Sequence, residues 1–463
     1  MYKINFNEPI HIHFIGIGGI SMSGFAELLH TAGFTISGSD SKKSKITEHL
    51  EAKGITILYG QKASNITPDI DLVVYTAAIH QDNPEMQAVL QRNIPRMDRA
   101  EMVGQVMLNY KNAIAISGTH GKTTTTSMIS QIFLEGDLDP TISVGGILKA
   151  IDGNIRIGKS DNFITEACEY TNSFLKFNPR YSIILNIEED HLDFFKDITD
   201  IRHSFHLFAK RLPEDGVLFI NGEIENYEEI TRDLPCKVVS YGIPSSPETQ
   251  FTYSATNVSF NADGYGEYDL MHNGEFVDHI TLGVVGMHNV SNSLPSIGLA
   301  LERQIPLEVI KRGLTAFHGT ERRFEYKGEV AGITIIDDYA HHPTEITATL
   351  EAAKRYPHKS TWCVFQPHTY TRTKAFLKDF AKALTLADKI VLTDIYAARE
   401  VNTGEISSKN LQAELQQLGK EVYYFSSFEE IENFLLQNCN NGDLLITMGA
   451  GDVVSIGESL LGI

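Results

Sequence analysis

Between an apolar stretch, Ala113–Ser117, and a helical pattern over Thr123–Leu134, the chain reads Gly118-Thr119-His120-Gly121-Lys122-Thr123-Thr124. Residues of these types in this order can hold phosphate. Glycine lets the backbone curl so that successive N–H groups point inward at phosphate oxygens, and the N-terminus of the following helix adds partial positive charge at the same spot. Lys122 can reach the outer phosphates of a nucleotide, and the Thr123 hydroxyl can ligate Mg2+. The common GxxxxGK[ST] spacing is not kept, because Ser117 and Ile116 stand where its first glycine would fall. The plain alternative is a Gly- and Thr-rich turn capping a helix. Against it, strand, GK[ST] and helix fall in order.

Two acidic clusters follow at the ends of expected strands, where α/β proteins place their chemistry. They are Glu166-Ala167-Cys168-Glu169-Tyr170 and Asn186-Ile187-Glu188-Glu189-Asp190-His191-Leu192-Asp193. A strand-end glutamate and the loop threonine suit magnesium, which wants oxygen ligands. His191 is an unusual ligand for so hard a cation, and by spacing alone it reads equally as a helix cap or a surface residue. Asp337-Asp338-Tyr339-Ala340-His341-His342-Pro343-Thr344-Glu345 hints at a transition metal, yet adjacent histidines do not easily face one ion. A polar strand-to-helix loop, with Pro343 near the helix start, explains it as well. Farther on, Phe365-Gln366-Pro367-His368-Thr369-Tyr370-Thr371-Arg372-Thr373 offers Arg372, whose fork can grip a carboxylate bidentately. Near the N-terminus, Gly16-Ile17-Gly18-Gly19-Ile20-Ser21, with Asp40 ending the next strand, resembles a dinucleotide fingerprint in which Ser21 replaces the third glycine. Gly449-Ala450-Gly451-Asp452 reads as a tight strand-to-helix turn.

These motifs need elements to position them. Strands are expected at His11–Ile15, Thr35–Ser39 and Leu72–Tyr75, with helices over Met22–Thr31 and Ile46–Lys53. Further strands are expected at Phe163–Glu166 and Ile183–Asn186, then at Ile333–Ile336, Trp362–Phe365, Ile390–Thr393, Val422–Phe425 and Leu444–Thr447. Strands alternating with helices imply parallel βαβ units. From about Lys237 to Val285 alternating polarity reads instead as short antiparallel strands. The fold class is α/β in three domains: Rossmann-like over 1–108, a central P-loop domain over 109–318 and a second Rossmann-like domain over 319–463. A length of 463 residues, about three times a domain of roughly 150, agrees.

With 42% apolar and 21% charged residues the chain has the composition of a soluble globular protein. A formal net charge of −20 argues against nonspecific nucleic-acid or anionic-membrane binding. Cys168, Cys236, Cys363 and Cys439 form no CxxC pair, which leaves zinc-ribbon and dithiol readings unsupported and fits a reducing cytoplasm. No secretory signal and no membrane span is expected.

The string GTHGKTTTT resembles the ATP-binding loop of the Mur ligases, which join a carboxylate to an amine through an acyl phosphate. Some seven motifs in order, covering essentially the whole chain, carry the resemblance. It implies that Gly118, Thr119, His120, Gly121, Lys122, Thr123 and Thr124 bind ATP. It implies that Glu166 and His191, in E-A-x-E and N-x-x-x-D-H-x-D, hold the metal with Thr123. Gly286-Met287-His288-Asn289-Val290-Ser291-Asn292 resembles the adenine-contacting segment, so His288, Asn289 and Asn292 are implied there. Arg323, in Gly319-Thr320-Glu321-Arg322-Arg323-Phe324, would contact the γ-phosphate, and Asp338 the ribose. Tyr339, His341, His368 and Arg372 would face the amino acid, and Lys122, Arg323 and His341 would be catalytic. The N-terminal turn would hold a UDP group through Gly16, Gly18, Gly19, Ser39 and Asp40.

Three departures qualify the resemblance: Cys168 stands where many relatives have Asp, Thr369 where Arg is frequent, and Asp200–His206 lacks the lysine that several branches carbamylate. The last is shared with the branch adding L-alanine to UDP-N-acetylmuramate, which the string HFIGIGGISMSGFAELL also resembles. The resemblance thus implies ATP, Mg2+, UDP-N-acetylmuramate and L-alanine as cofactors and substrates, a role in peptidoglycan precursor synthesis, and a monomer or homodimer. The rival readings are a sister ligase that recycles a tripeptide, a nicotinamide-dependent oxidoreductase and a noncatalytic ATP-sensing subunit.

Overall fold

A computed structural model describes residues 3–76, 78–246, 248–398 and 400–463. Three sheets follow one another along the chain. The first contains β1 (His11–Ile15), β2 (Thr35–Asp40), β3 (Thr56–Tyr59), β4 (Leu72–Tyr75) and β5 (Arg96–Asp98) in the order β3-β2-β1-β4-β5. Every pairing in it is parallel. Strand order reverses beside β1, so a crevice opens at its C-terminal end, where Gly16–Gly19 lead into the helix Ile20–Thr31.

The second sheet has ten strands. They are β6 (Asn112–Ser117), β7 (Thr141–Leu148), β8 (Gly153–Arg156), β9 (Asn162–Glu166), β10 (Tyr181–Ile184), β11 (Val217–Asn221), β12 (Lys237–Gly242), β13 (Tyr253–Phe260), β14 (Tyr265–His272) and β15 (Glu275–Val285). Their order is β15-β14-β13-β12-β11-β10-β6-β9-β7-β8. β6, flanked by β9 and β10, is almost wholly buried, as expected of a parallel strand covered on both faces. The expectation of antiparallel strands from Lys237 onward holds for β13, β14 and β15 only. β12 is parallel to both β11 and β13. Alternating polarity reports a half-buried strand but not the direction of its neighbour.

The third sheet contains β16 (Glu325–Val330), β17 (Ile333–Asp338), β18 (Thr361–Phe365), β19 (Lys389–Leu392), β20 (Val422–Tyr424) and β21 (Leu444–Met448) in the order β16-β17-β21-β18-β19-β20. Only β16 runs antiparallel. Among the described residues no helix is long and apolar enough to cross a membrane.

The contacts between these units differ in kind. One apolar cluster runs from the first unit into the second, joining Met22, Phe25, Val103 and Met107 to Phe163, Phe174 and Phe208. The approach is close: a Cβ on Gly104 would lie 1.9 Å from the Lys176 carbonyl oxygen, so only glycine fits. Between the second and third units, hydrogen bonds and ion pairs converge on the loops that carry the motifs.

Candidate active site

The phosphate loop is shaped by two glycines and one asparagine. Gly118 (φ +141) and Gly121 (φ +83) occupy backbone conformations that L side chains rarely adopt, and Gly121 caps the helix Lys122–Glu135. Asn186, just past β10, clamps the loop: its Oδ1 accepts from the His120 N–H at 2.7 Å, and its Nδ2 donates to the His120 carbonyl at 3.1 Å. The Thr119 N–H donates to the Asn186 carbonyl at 3.2 Å.

Lys122 turns back along this loop. Its Nζ donates to the Gly118 and Thr119 carbonyls and lies 3.0 Å from Glu169 Oε2. Burial alone would lower the lysine pKa, but the Glu169 carboxylate holds it above its ordinary value. Glu169 was not singled out by its sequence. It is nevertheless the carboxylate that pairs with Lys122, and it stands 3.8 Å from His191 Nε2.

Thr123, Glu166 and His191 surround the start of the helix. Thr123 is the second residue of that helix, and Glu166 Oε1 accepts from the Gly145 N–H at 2.6 Å. Gly145 and Gly146 close over both: added Cβ atoms would meet Glu166 Oε2 at 2.9 Å and Thr123 Cγ2 at 3.1 Å. Burial lowers the His191 pKa and keeps the ring neutral, stacked on Tyr170 with centroids 4.4 Å apart.

A cavity of about 810 Å3 adjoins the loop, lined among others by His288, Asn289, Asn292, Arg323, Phe324 and Asp338. Asn289 donates to the Val285 carbonyl at 2.8 Å and accepts from Asn292 Nδ2 at 3.1 Å. Asn292 Oδ1 thereby rests against Gly121. Burial pushes His288 down to about 4 and Asp338 up to about 6. Both Asp338 oxygens accept backbone N–H groups, from Phe324 and Ala340, each at 2.7 Å.

Of the adjacent arginines, Arg322 is fully engaged with Asp337 (2.9 Å) and the Gly449 and Gly451 carbonyls (2.8 and 2.9 Å). Arg323 faces the cavity, its nearest carboxylate Glu345 at 3.8 Å. Gly449–Asp452 is therefore a turn that Arg322 bolts down.

A second cavity, about 600 Å3, is lined by His191, Tyr339, His341, His368 and Arg372. His341 Nδ1 lies 3.0 Å from the Tyr339 carbonyl and 3.2 Å from Glu345 Oε2, which places its proton there and leaves Nε2 as a lone pair. Burial pushes this imidazole down to about 3, so it is neutral. Arg372 meets Asp190 through Nε (3.1 Å) and NH2 (2.9 Å) and His368 Nδ1 through NH1 (3.0 Å). Burial would raise the Asp190 carboxyl, but Arg372 beside it holds it well below the usual range. The guanidinium edge opposite Asp190 is what remains for a carboxylate ligand.

Glu345 lines the first cavity and contacts His341 on the wall of the second. Its half-buried carboxylate faces His341, Arg323 and, at 3.2 Å, His120 Nδ1 of the phosphate loop. Burial alone would lower His120, but Glu345 and Glu188 push it up to about 9, an imidazolium at neutral pH. Thr344 donates to Glu188 at 2.5 Å, and His342 Nε2 lies 3.1 Å from the Glu189 carbonyl. These contacts, with Asp190–Arg372, form the polar seam between the second and third units.

In the first unit, Asp40 Oδ2 accepts from the Gly18 N–H at 2.9 Å, and a Cβ on Gly18 would meet the same oxygen at 2.8 Å. Gly16 (φ +83) and Gly19, the helix N-cap, complete the turn. Ser39 donates to buried Glu85 at 2.6 Å, so its hydroxyl is committed inward. Ser21 accepts from Arg99 NH1 at 3.2 Å, which sets a guanidinium over the helix N-terminus.

Three family models match in sequence: the Mur ligase family catalytic domain over 11–111, the Mur ligase middle domain over 116–300 and the Mur ligase glutamate ligase domain over 322–451. The chain is 65% identical to the UDP-N-acetylmuramate–L-alanine ligase of Lachnoclostridium phytofermentans, with all of both chains covered. The chain belongs to the Mur ligase family. Its identity to the corresponding ligase of Agathobacter rectalis is 60%, again over the whole of both chains. Among solved structures, the UDP-N-acetylmuramate–alanine ligase of Thermotoga maritima superposes with a TM-score of 0.80 at 29% identity, and a murein peptide ligase from Psychrobacter arcticus with 0.70 at 25%. Each comparison covers 98% of both chains.

Against this Mur ligase frame, the residues that their own spacing did not flag are Glu169, Asn186, Asp190 and Glu345. Each sits inside a quoted motif, and each acts on a group far away in sequence. The motif was the only available signal.

Proposed function

We propose that the chain is an ATP-dependent ligase that joins L-alanine to the carboxylate of UDP-N-acetylmuramate, the reaction for which its full-length relatives are named. The observation that carries the reading is a pair of cavities, one beside the phosphate loop and Arg323 and lined by Glu345, the other beside Arg372 and lined by His341, which Glu345 contacts. A nucleotide phosphate and an amino acid would thus lie on either side of one carboxylate. Domains 1–108, 109–318 and 319–463 would hold the UDP group, ATP and amino acid respectively.

The chemistry has two steps. The substrate carboxylate oxygen attacks the γ-phosphorus, the bond to the β-bridging oxygen breaks, and ADP leaves. Lys122, exchanging Glu169 for phosphate, and Arg323 neutralise the charge that develops. The amine of L-alanine then attacks the acyl-phosphate carbonyl and phosphate departs. The ammonium must first shed its proton to solvent, and neutral His341, too weakly basic to hold that proton, presents Nε2 as a hydrogen-bond acceptor that orients the amine. Arg372, which lines the second cavity, grips the L-alanine carboxylate through the N–H groups left beside its bonds to Asp190 and His368. Asn289 and Asn292 wall the adenine end, and Asp338 takes the ribose. Gly16, Gly18, Gly19, Ser39 and Asp40 form the UDP cradle, with Arg99 beside it.

The Thr123 hydroxyl, the Glu166 carboxylate and neutral His191 fit a divalent cation of the magnesium class. Held there, such an ion would supply positive charge to offset the negative charge of the nucleotide phosphates. A cytoplasmic monomer or homodimer completes the proposal.

The test is phosphate release with ATP, Mg2+ and UDP-N-acetylmuramate, alone or with L-alanine, glycine, L-serine or a muropeptide tripeptide. Release that requires L-alanine supports the reading. Release with the tripeptide alone moves the chain to the recycling branch, and no release with any pair removes the UDP-sugar assignment.

A further inference from the structure

His120, Glu188 and His342 form a cluster that the ligation steps leave unused as a group. One donor atom from each lies within 4.8 Å of the other two. His120 Nε2 and Glu188 Oε2 are 3.5 Å apart, close to the separation of two ligands on a tetrahedral ion bound at about 2.0–2.2 Å. His120 Nε2 is buried and has no hydrogen-bond partner among the described residues. The two imidazoles lie with centroids 4.5 Å apart.

Each donor also has a group behind it. His120 presents Nδ1 to Glu345 at 3.2 Å, and His342 presents Nε2 to the Glu189 carbonyl at 3.1 Å. Glu188 Oε2 accepts the Thr344 hydroxyl. A carboxylate or carbonyl on the far N–H is what orients and strengthens metal-bound imidazoles. The nitrogen His342 has left, Nδ1, takes only a long 3.3 Å bond from the Thr344 amide at the helix cap.

The geometry points to a transition-metal site at this seam, taking Zn2+ or a similar ion through two imidazoles and one carboxylate, with a fourth position open. The imidazoles distinguish it from the oxygen-rich set around Thr123 and Glu166, since nitrogen ligands favour zinc-like ions over magnesium. His120 and Glu188 belong to the second unit and His342 to the third. An ion held by all three staples the seam shut beside the phosphate loop, so it inhibits turnover.

Co2+ serves as the probe, added to the chelator-stripped full chain in excess Mg2+ at mildly alkaline pH, where the ion displaces the His120 proton more readily. One Co2+ per chain should bind with the intense visible absorption of a tetrahedral site, and Zn2+ should displace it. Two substitutions keep the local hydrogen bonds while removing a ligand. H342N retains a helix-capping side chain, and E188Q still accepts from Thr344. Each should weaken Co2+ binding at least about tenfold and make turnover correspondingly resistant to Zn2+. Either variant alone decides the matter if the other does not fold. H191N, at the separate magnesium-type site, should leave the Co2+ spectrum intact. The inference is overturned if no single tetrahedral Co2+ binds, if E188Q or H342N binds it unchanged, or if only H191N abolishes it.

Discussion

Glu345 keeps its charge in a buried site because three cations or proton donors face it, and its removal should therefore act on all three at once. E345Q leaves the volume and takes away the charge, so His120 loses its main support, Arg323 its nearest carboxylate and His341 the group beside Nδ1. Misplacement of this kind is expected to lower kcat on the order of 10²-fold, with a smaller change in KM for ATP. E345D should recover part of the loss. The same residue sets a pH window. His120 is raised from 6.5 to about 9, so its contribution to the closed seam is fully present below 6.5 and is lost as pH rises through about 9. Glu345 is shifted the other way, and its contribution is lost only as pH falls through its depressed value. Thermal melting across this range should show an alkaline decline in the wild type that is smaller in E345Q, where Glu188 alone still faces His120; equal declines would remove Glu345 from the account. None of this was legible in Pro343-Thr344-Glu345, where the glutamate reads as a helix-start acid. The information lies in which loop folds onto it.

At the scale of elements the sequence was more informative. β6 and β21 announce themselves as short apolar runs because both faces of a parallel strand are covered, and the loops at their C-terminal ends carry motifs. Two features were not legible. β12 runs parallel to its neighbours, which its own polarity pattern cannot encode. The second is the brace on the phosphate loop, where the brief strand β10 ends at Ile184 and releases Asn186 to fold across His120. The motif gives Asn186 no role of its own, whereas in the fold it satisfies a part-buried loop N–H. N186A leaves that N–H without a partner, at a cost of about 1–3 kcal/mol. The loop should then lose the shape that gathers its N–H groups. ATP affinity should fall about tenfold or more, with faster hydrogen exchange over 118–121 and little change in affinity for the UDP-sugar. An unchanged ATP affinity with unchanged exchange would show that the glycines alone shape the loop.

For the whole molecule, the contrast between its two interfaces determines where it can move. The first and second units share an apolar cluster and a glycine-only contact at Gly104, which favour a fixed relation. The second and third meet through charged and hydrogen-bonded groups that water can replace, as expected of domains that separate and close. Asp190–Arg372 is the most buried ion pair of that seam, and Arg372 is also the proposed grip on L-alanine. Breaking one side of such a pair leaves an uncompensated charge, typically costing about 3–5 kcal/mol. In D190N the seam should therefore open more often, and Arg372 should swing without its guide. Two readouts separate these effects. Small-angle scattering should give a larger radius of gyration for ligand-free D190N than for the wild type, reduced again by ATP and UDP-sugar together. Steady-state kinetics should show KM for L-alanine rising more than KM for ATP. A larger radius with both KM values rising equally would mean that Asp190 only closes the domains. An unchanged radius with a selective rise for L-alanine would mean that it only orients Arg372.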